Sequence, residues 1–202
     1  RNAAAPALLY VRENPLYEYI RRYKDTLKTV VVNNHNLLNE LENVLGDDMS
    51  EFNAKPFAEY GLEEQIIEAL NRTISLTSGG SVHIEQTRAC VTIDVDTADL
   101  KSGGNVSKAN DEAAIEIARQ IILRNLSGKI IIDFAGSTEY RFMRDVMDVL
   151  AEELTGDANH AKVIGLSKIG NVEILRRRKR PTLLEQFSVA CSACSGTGRV
   201  EP

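Results

Sequence analysis

Hydrophobic and polar positions change period several times along the chain, and each change marks an element. Val82 and Ile84 alternate with His83 and Glu85, and Val91, Ile93 and Val95 alternate with Thr92, Asp94 and Asp96. A period of two belongs to a strand with one buried face. The paired glycines of TSGG (77–80) mark a turn just before. With Thr87 and Arg88 as a two-residue turn, Ile84 faces Val91 and Val82 faces Ile93. His83, Glu85, Thr92, Asp94 and Asp96 then share the opposite face. A slip of one residue would mix the faces, so the pattern favours this pairing. Thr-Arg lacks the Asn or Gly that a tight hairpin turn prefers, so the faces are better specified than the turn.

Elsewhere the period is helical. Pro15 opens a helix to Lys24, as proline is tolerated in a first turn. Leu37, Leu38, Leu41, Val44 and Leu45 share a helix face, capped by Asn34 or Asn36 and stopped at Gly46. A helix from Leu62 to Arg72 turns Ile66, Ile67 and Leu70 inward, and one over 109–124 buries Ala114, Ile117, Ala118 and Ile121. Thr138 caps a further helix to Leu154, with Phe142, Met143, Val146, Met147 and Leu150 inward. Strands are expected over 7–11, 27–34, 161–166 and 171–175, and loops over 46–61 and 101–105. KIIIDF (129–134) is a continuous apolar run, as in a strand covered on both sides. The order β, β, α, β, α, β, β predicts an α/β (α+β) fold: a layered mixed sheet with flanking helices.

Composition adds bounds. The 202 residues are 43% hydrophobic and 26% charged, enough to build a core. No stretch approaches the roughly 18 apolar residues of a membrane span, so none is expected. Arg1–Pro6 lacks an apolar signal-type run, and the chain starts with Arg rather than Met, as a fragment or processed product would. Three cysteines are too few for a dense disulfide framework, and a cytoplasmic location is expected. Net charge is −5, yet 168–180 hold Lys168, Arg176, Arg177, Arg178, Lys179 and Arg180 against Glu173 alone, which leaves the remainder at −10. A basic patch on an acidic body is either a phosphate-binding surface or a solvated loop.

Three carboxylates stand out. Asp94 and Asp96 leave one face of a strand, and Asp133 ends another. Acids converging from strand ends suit a hard divalent cation, although aspartates also serve as ordinary caps and turn formers. A carboxylate within IIIDF would cost several kcal/mol to bury unless paired or metal-bound. His83 is expected to be a hydrogen-bonded structural residue, and Cys90 a small buried hydrophobe in a strand. Cys191 and Cys194 form C-x-x-C beside glycines. Zinc fits better than redox chemistry here, but two thiolates are half of a tetrahedral set, with the rest supplied by another chain. Phosphate-loop, dinucleotide and serine-elbow motifs are absent.

GGSVHIEQTRACVTIDVDT, NDEAAIEIARQIILRNLSGKIIIDF, GNVEILRRRKR and CSACSGTGRV, in that order, resemble the catalytic core of the ribonuclease E/G family. The resemblance implies the end of an RNase H-like subdomain over 1–75, a DNase I-like catalytic domain over 76–182 and a zinc-link segment over 183–202. It implies a magnesium-dependent endoribonuclease acting on single-stranded RNA. Asp94 and Asp133 match the family's magnesium ligands, and Asp96, a third candidate catalytic residue, stands where the family usually has Asn. Cys191 and Cys194 match the pair that shares one zinc between two chains of a homodimer. Lys168 and Arg176–Arg180 are the RNA-contact candidates. Arg88 replaces an acid, and Gly136 replaces a second aspartate after Asp133. No counterpart of the family's S1 domain or 5′-monophosphate pocket is present in these residues. These departures support the rival reading, a non-catalytic RNA-binding or scaffold protein of the same fold.

Overall fold

In the computed structural model, residues 15–97, 105–136, 140–194, 196 and 198 are described. The chain divides into two compact units, 1–63 and 64–202. The expected strand over 7–11 and the cap at Thr138 lie outside the described residues.

In the first unit, helix α1 (Pro15–Tyr23), strand β1 (Val30–Val32), helix α2 (His35–Leu45), strand β2 (Ser50–Phe52) and helix α3 (Pro56–Glu59) follow one another. Asn34 caps α2, its side-chain oxygen accepting from Asn36 N at 2.9 Å and Leu37 N at 3.0 Å. Ile20, Val32 and Leu41 form a small buried core. The segment expected as a plain loop carries β2, which pairs in parallel with β1. Three residues with exposed side chains at most positions give too little pattern to reveal such a strand.

Helix α4 (Leu62–Glu68) runs into the second unit. It ends before the expected Arg72, and Ile67 is exposed rather than inward. There follow β3 (Thr73–Ser75), which the sequence reading missed, then β4 (Ser81–Gln86), β5 (Val91–Asp96), α5 (Val106–Leu123), β6 (Gly128–Asp133), α6 (Tyr140–Glu153), β7 (Lys162–Leu166), β8 (Val172–Arg176) and α7 (Leu183–Phe187). The six strands make one mixed sheet in the order β3-β4-β5-β6-β8-β7. Only β5 and β6 are parallel, with α5 between them in the chain, while the other pairs are antiparallel.

One face of this sheet builds the core. Val82, Ile84, Val91, Ile93, Val95, Ile130, Ile132, Val172 and Ile174 join Ile117 and Ile121 of α5 and Met143, Val146 and Leu150 of α6 in one cluster. The opposite face is left open, as the alternating burial of β5 and β8 shows. This corrects the expectation for β6: Ile130 and Ile132 are buried, Ile131 is half-buried and Asp133 is exposed, so the strand is covered on one side only. A triple isoleucine run is compatible with one or two covered faces, and the partner elements decide.

The β4–β5 register also differs. Gln86 pairs with Val91, Ile84 with Ile93 and Val82 with Val95, so the turn spans Thr87–Cys90. Thr87 closes it, its N–H and hydroxyl donating to Cys90 O at 3.0 and 2.8 Å. The displacement is two residues, so every side chain keeps its expected face. Cys90 is accordingly a half-buried turn residue, not a buried strand residue.

Candidate metal and nucleic-acid site

The exposed face of β5 carries Thr92, Asp94 and Asp96, and that of β6 ends in Asp133. Asp94 and Asp133 are directly paired across the parallel β5–β6 ladder. Directly paired residues leave the same face of neighbouring strands about 4.8 Å apart. Both line an open depression of about 530 Å³ with His83, Thr73, Arg72 and Asn171. Strand register thus brings together two acids that lie far apart in sequence. Since Asp133 is exposed, it carries no burial cost, contrary to the expectation from its apolar neighbours.

The surroundings fix these strands. Glu112 of α5 accepts from Thr77 N and Oγ1, both at 2.6 Å, and from Ser78 N at 3.1 Å, tying the β3–β4 turn to the helix. Burial raises the Glu112 pKa, but these hydrogen bonds outweigh it and hold the carboxyl below its usual range. A Cβ on Gly80 would stand 2.6 Å from Asp96 O, so only glycine lets the turn approach the end of β5. Asn110, buried in α5, donates through Nδ2 to Ala135 O at 2.8 Å and secures the loop that follows Asp133. Sequence reasoning missed this role. Its only signal was a polar residue at an inward helix position.

His83 stands opposite Asp94 in the ladder. Its Nδ1 lies 3.0 Å from Thr73 Oγ1 and its Nε2 3.0 Å from Ser81 Oγ. It is a hydrogen-bonded structural residue, as expected. Asp96 is exposed at the end of β5, paired with Ser81, and does not line the depression described above. Gly136 adopts φ +96°, a conformation that disfavours a side chain, and an added Cβ would lie 3.3 Å from Val106 Cγ1.

Among the described residues, no group of three or more His, Cys, Asp or Glu is gathered to hold a metal ion. The donor set nevertheless fits a hard divalent cation, magnesium among them. Magnesium retains several waters and takes one or two carboxylates, which two exposed, paired aspartates supply. Cys191 immediately precedes the turn 192–194 and Cys194 is its last residue, the first exposed and the second half-buried. They offer two of the four ligands of a tetrahedral zinc site.

The basic segment divides. Arg176 is 3% exposed on the covered face of β8. Its Nε and Nη2 each donate to Asp157 at 2.9 Å, and Nη1 donates to Leu126 O at 2.7 Å and Asn125 Oδ1 at 3.0 Å. Burial raises the Asp157 pKa, but the Arg176 bonds and backbone N–H groups more than offset it, holding the carboxyl below its usual range. Arg176 is therefore a structural ion-pair residue, and its assignment as an RNA contact is corrected. Lys168, Arg177, Arg178, Lys179 and Arg180 are exposed. Arg178 pairs with Glu185 at 2.8 Å, and Lys179 Nζ donates to Ala158 O at 2.6 Å.

The fold and site define an α+β protein with a solvent-facing carboxylate pair suited to a hard divalent cation. The chain belongs to the ribonuclease E/G family, whose profile matches residues 1–179. It is 34% identical to ribonuclease E of Escherichia coli K12 over 97% of the chain and 20% of that protein. It is 33% identical to a chloroplastic ribonuclease E/G-like protein of Arabidopsis thaliana, covering 98% of the chain and 21% of that protein. Against ribonuclease G of Escherichia coli K12 the identity is 36%, over 70% of the chain and 30% of that protein. The chain thus spans between a fifth and a third of the length of these relatives. No described helix is long and apolar enough to cross a membrane.

Proposed function

We infer that the chain is a magnesium-dependent endoribonuclease core that hydrolyses single-stranded RNA. One observation carries this reading above family membership: Asp94 and Asp133 are paired on adjoining strands and open to solvent in a polar depression. Together they would hold the ion, and Asp96, on the same strand face as Asp94, would add negative charge beside it. A bound magnesium supplies charge neutralisation at the scissile phosphate and lowers the pKa of water. The chain's own contribution is placement: Glu112 and Gly80 fix the β4 side, while Asn110 fixes the loop beyond Asp133. Lys168, Arg177, Arg178, Lys179 and Arg180 would contact RNA phosphates without reading sequence. By family resemblance the products carry a 5′-phosphate and a 3′-hydroxyl.

The test is cleavage of labelled single-stranded RNA with magnesium against chelator. Magnesium-dependent cuts are expected. Retained RNA binding without cleavage would favour the non-catalytic reading, whose support is Arg88, Asp96 and Gly136 at departing positions.

The zinc-link segment, 183–202, makes the protein a homodimer in this reading, with Cys191 and Cys194 of two copies closing one tetrahedral site. Three cysteines in 202 residues, too few for a disulfide framework, suit a reducing, cytoplasmic setting. One zinc per two chains is expected by metal analysis, with a dimer that weakens on chelation or in Cys191→Ser. One zinc per monomer would overturn the shared site.

A further inference from the structure

The edge of the six-stranded sheet opens onto a second cavity where β3 ends. β3 covers β4 only from Ser81 to His83, and the last bond across that edge runs from Ile84 N to Arg72 O at 2.8 Å. Backbone groups alternate sides along a strand. Gln86, two residues on, therefore turns its N–H and C=O to the same edge, past the end of β3. An unpaired strand edge is a ready donor and acceptor row.

A cavity of about 320 Å³ lies at this edge, with Leu70, Ile84 and Leu184 as apolar lining and Gln86, Arg72 and Arg124 as polar lining. Its walls are tied together. Arg124 is 5% exposed, its Nη1 donates to Asn71 O at 2.7 Å, and its own carbonyl accepts from Leu183 N at 2.9 Å. Arg124 Nη2 is buried without a hydrogen-bond partner, so the wall carries an incompletely compensated positive charge.

Arg72 and Glu85 line both this cavity and the depression that holds the acid pair. They pair at 3.5 Å with side chains 73% and 61% exposed. Such an exposed pair is weak, so the Arg72 guanidinium can exchange its partner for a phosphate. The route is short: Asp94 pairs with His83, His83 pairs with Thr73, and Arg72 precedes Thr73. Two interstrand spacings amount to about 10 Å, within reach of a neighbouring nucleotide.

We propose that this cavity is a nucleobase subsite for single-stranded RNA. The Gln86 main chain offers a donor and an acceptor to the base edge, Leu70 and Leu184 pack on the base, and Arg72 neutralises the phosphate leading to the acid pair. Single-stranded RNA is recognised in this manner, by bases splayed from the strand and read on their edges. The subsite rests on the ribonuclease reading above and deepens it.

The experiment is an abasic scan. Short single-stranded RNAs, each lacking one base, are titrated against the full chain by fluorescence anisotropy without added magnesium or chelator, so that no cleavage intervenes and bound zinc is kept. In the parent, removal of one particular base weakens binding by about tenfold. Leu184→Trp fills the cavity from its exposed rim. It should weaken binding of the intact RNA by a similar factor and erase the effect of that abasic position. Arg72→Gln should lower the slope of log affinity against log salt by about one. A flat abasic profile in the parent, or parent-like profiles in Leu184→Trp and Arg72→Gln, overturns the subsite while RNA binding and cleavage still stand. Loss of all RNA binding in the parent overturns the ribonuclease reading and the subsite with it.

Discussion

The two faces of the six-stranded sheet come from the same strands but do opposite work. The covered face is isoleucine and valine against α5 and α6, and it ends in a buried Arg176–Asp157 pair. The open face is His83, Asp94, Asp133 and Glu173, with Leu175 the exposed apolar residue of β8. Arg176 and Arg177 make the contrast sharpest. They are neighbours in a run of basic residues, yet one is 3% exposed and the other faces solvent. The same charge serves folding on one side and is available to a ligand on the other. Local alternation, not residue type, assigns the role.

The largest expected effect breaks the open face alone. If Asp94 and Asp133 hold the ion as proposed, Asp94→Asn or Asp133→Asn removes a charged ligand worth several kcal/mol in the transition state, so magnesium-dependent cleavage should fall by about 10³-fold or more. Both residues are exposed, so unfolding free energies from urea titration should stay within about 0.5 kcal/mol of the parent. Single-turnover cleavage and urea unfolding measure the two halves. Parent-like cleavage by both variants would remove the acid pair from the mechanism.

Breaking the covered face should do the reverse. Asp157→Asn leaves Arg176 buried and uncompensated, at a cost of about 3–5 kcal/mol in unfolding free energy. The pH dependence has a definite sign. Asp157 has a lowered pKa in the folded protein, so the pair contributes stability above the unfolded aspartate value of about 3.9. That contribution is lost as pH falls through the lower folded value. Urea titrations between neutral and acid pH should show the parent losing this increment and Asp157→Asn showing a flatter profile. Identical slopes would mean that the pair titrates no differently from the unfolded chain.

The smallest effect sharpens the arginine comparison. Arg177→Ala with Arg180→Ala should lower the slope of log RNA affinity against log salt by about two, with little change in stability. Arg176→Ala should behave oppositely, losing stability first. If Arg177→Ala and Arg180→Ala leave the salt slope unchanged, the run is a solvated segment. Filter binding at several salt concentrations decides.

Much of this was written in the sequence. Strict alternation in Val82–Glu85 and Val91–Asp96 specified which side chains face the core, and it did so even with the hairpin turn read two residues too short. The period of two makes faces insensitive to such a shift. Helical spacing located Ala114, Ile117, Ala118 and Ile121 in the core, and of the two caps the sequence offered, Asn34 and Asn36, the structure uses Asn34. Asp94 and Asp133 stood out as acids of two strands.

What only the tertiary structure decided was non-local. The parallel register that pairs Asp94 with Asp133 depends on how α5 returns the chain, which no local pattern encodes. The number of faces covered on β6 depends on where the helices pack, so Asp133 was expected to be buried and is open. The fate of Arg176 depended on Asp157, nineteen residues away, meeting it behind the sheet. The edge cavity at Gln86 exists because β3 stops short, a matter of strand length rather than residue type. Periodicity fixes the direction of a side chain relative to its own backbone, and only the packed elements decide what that direction meets.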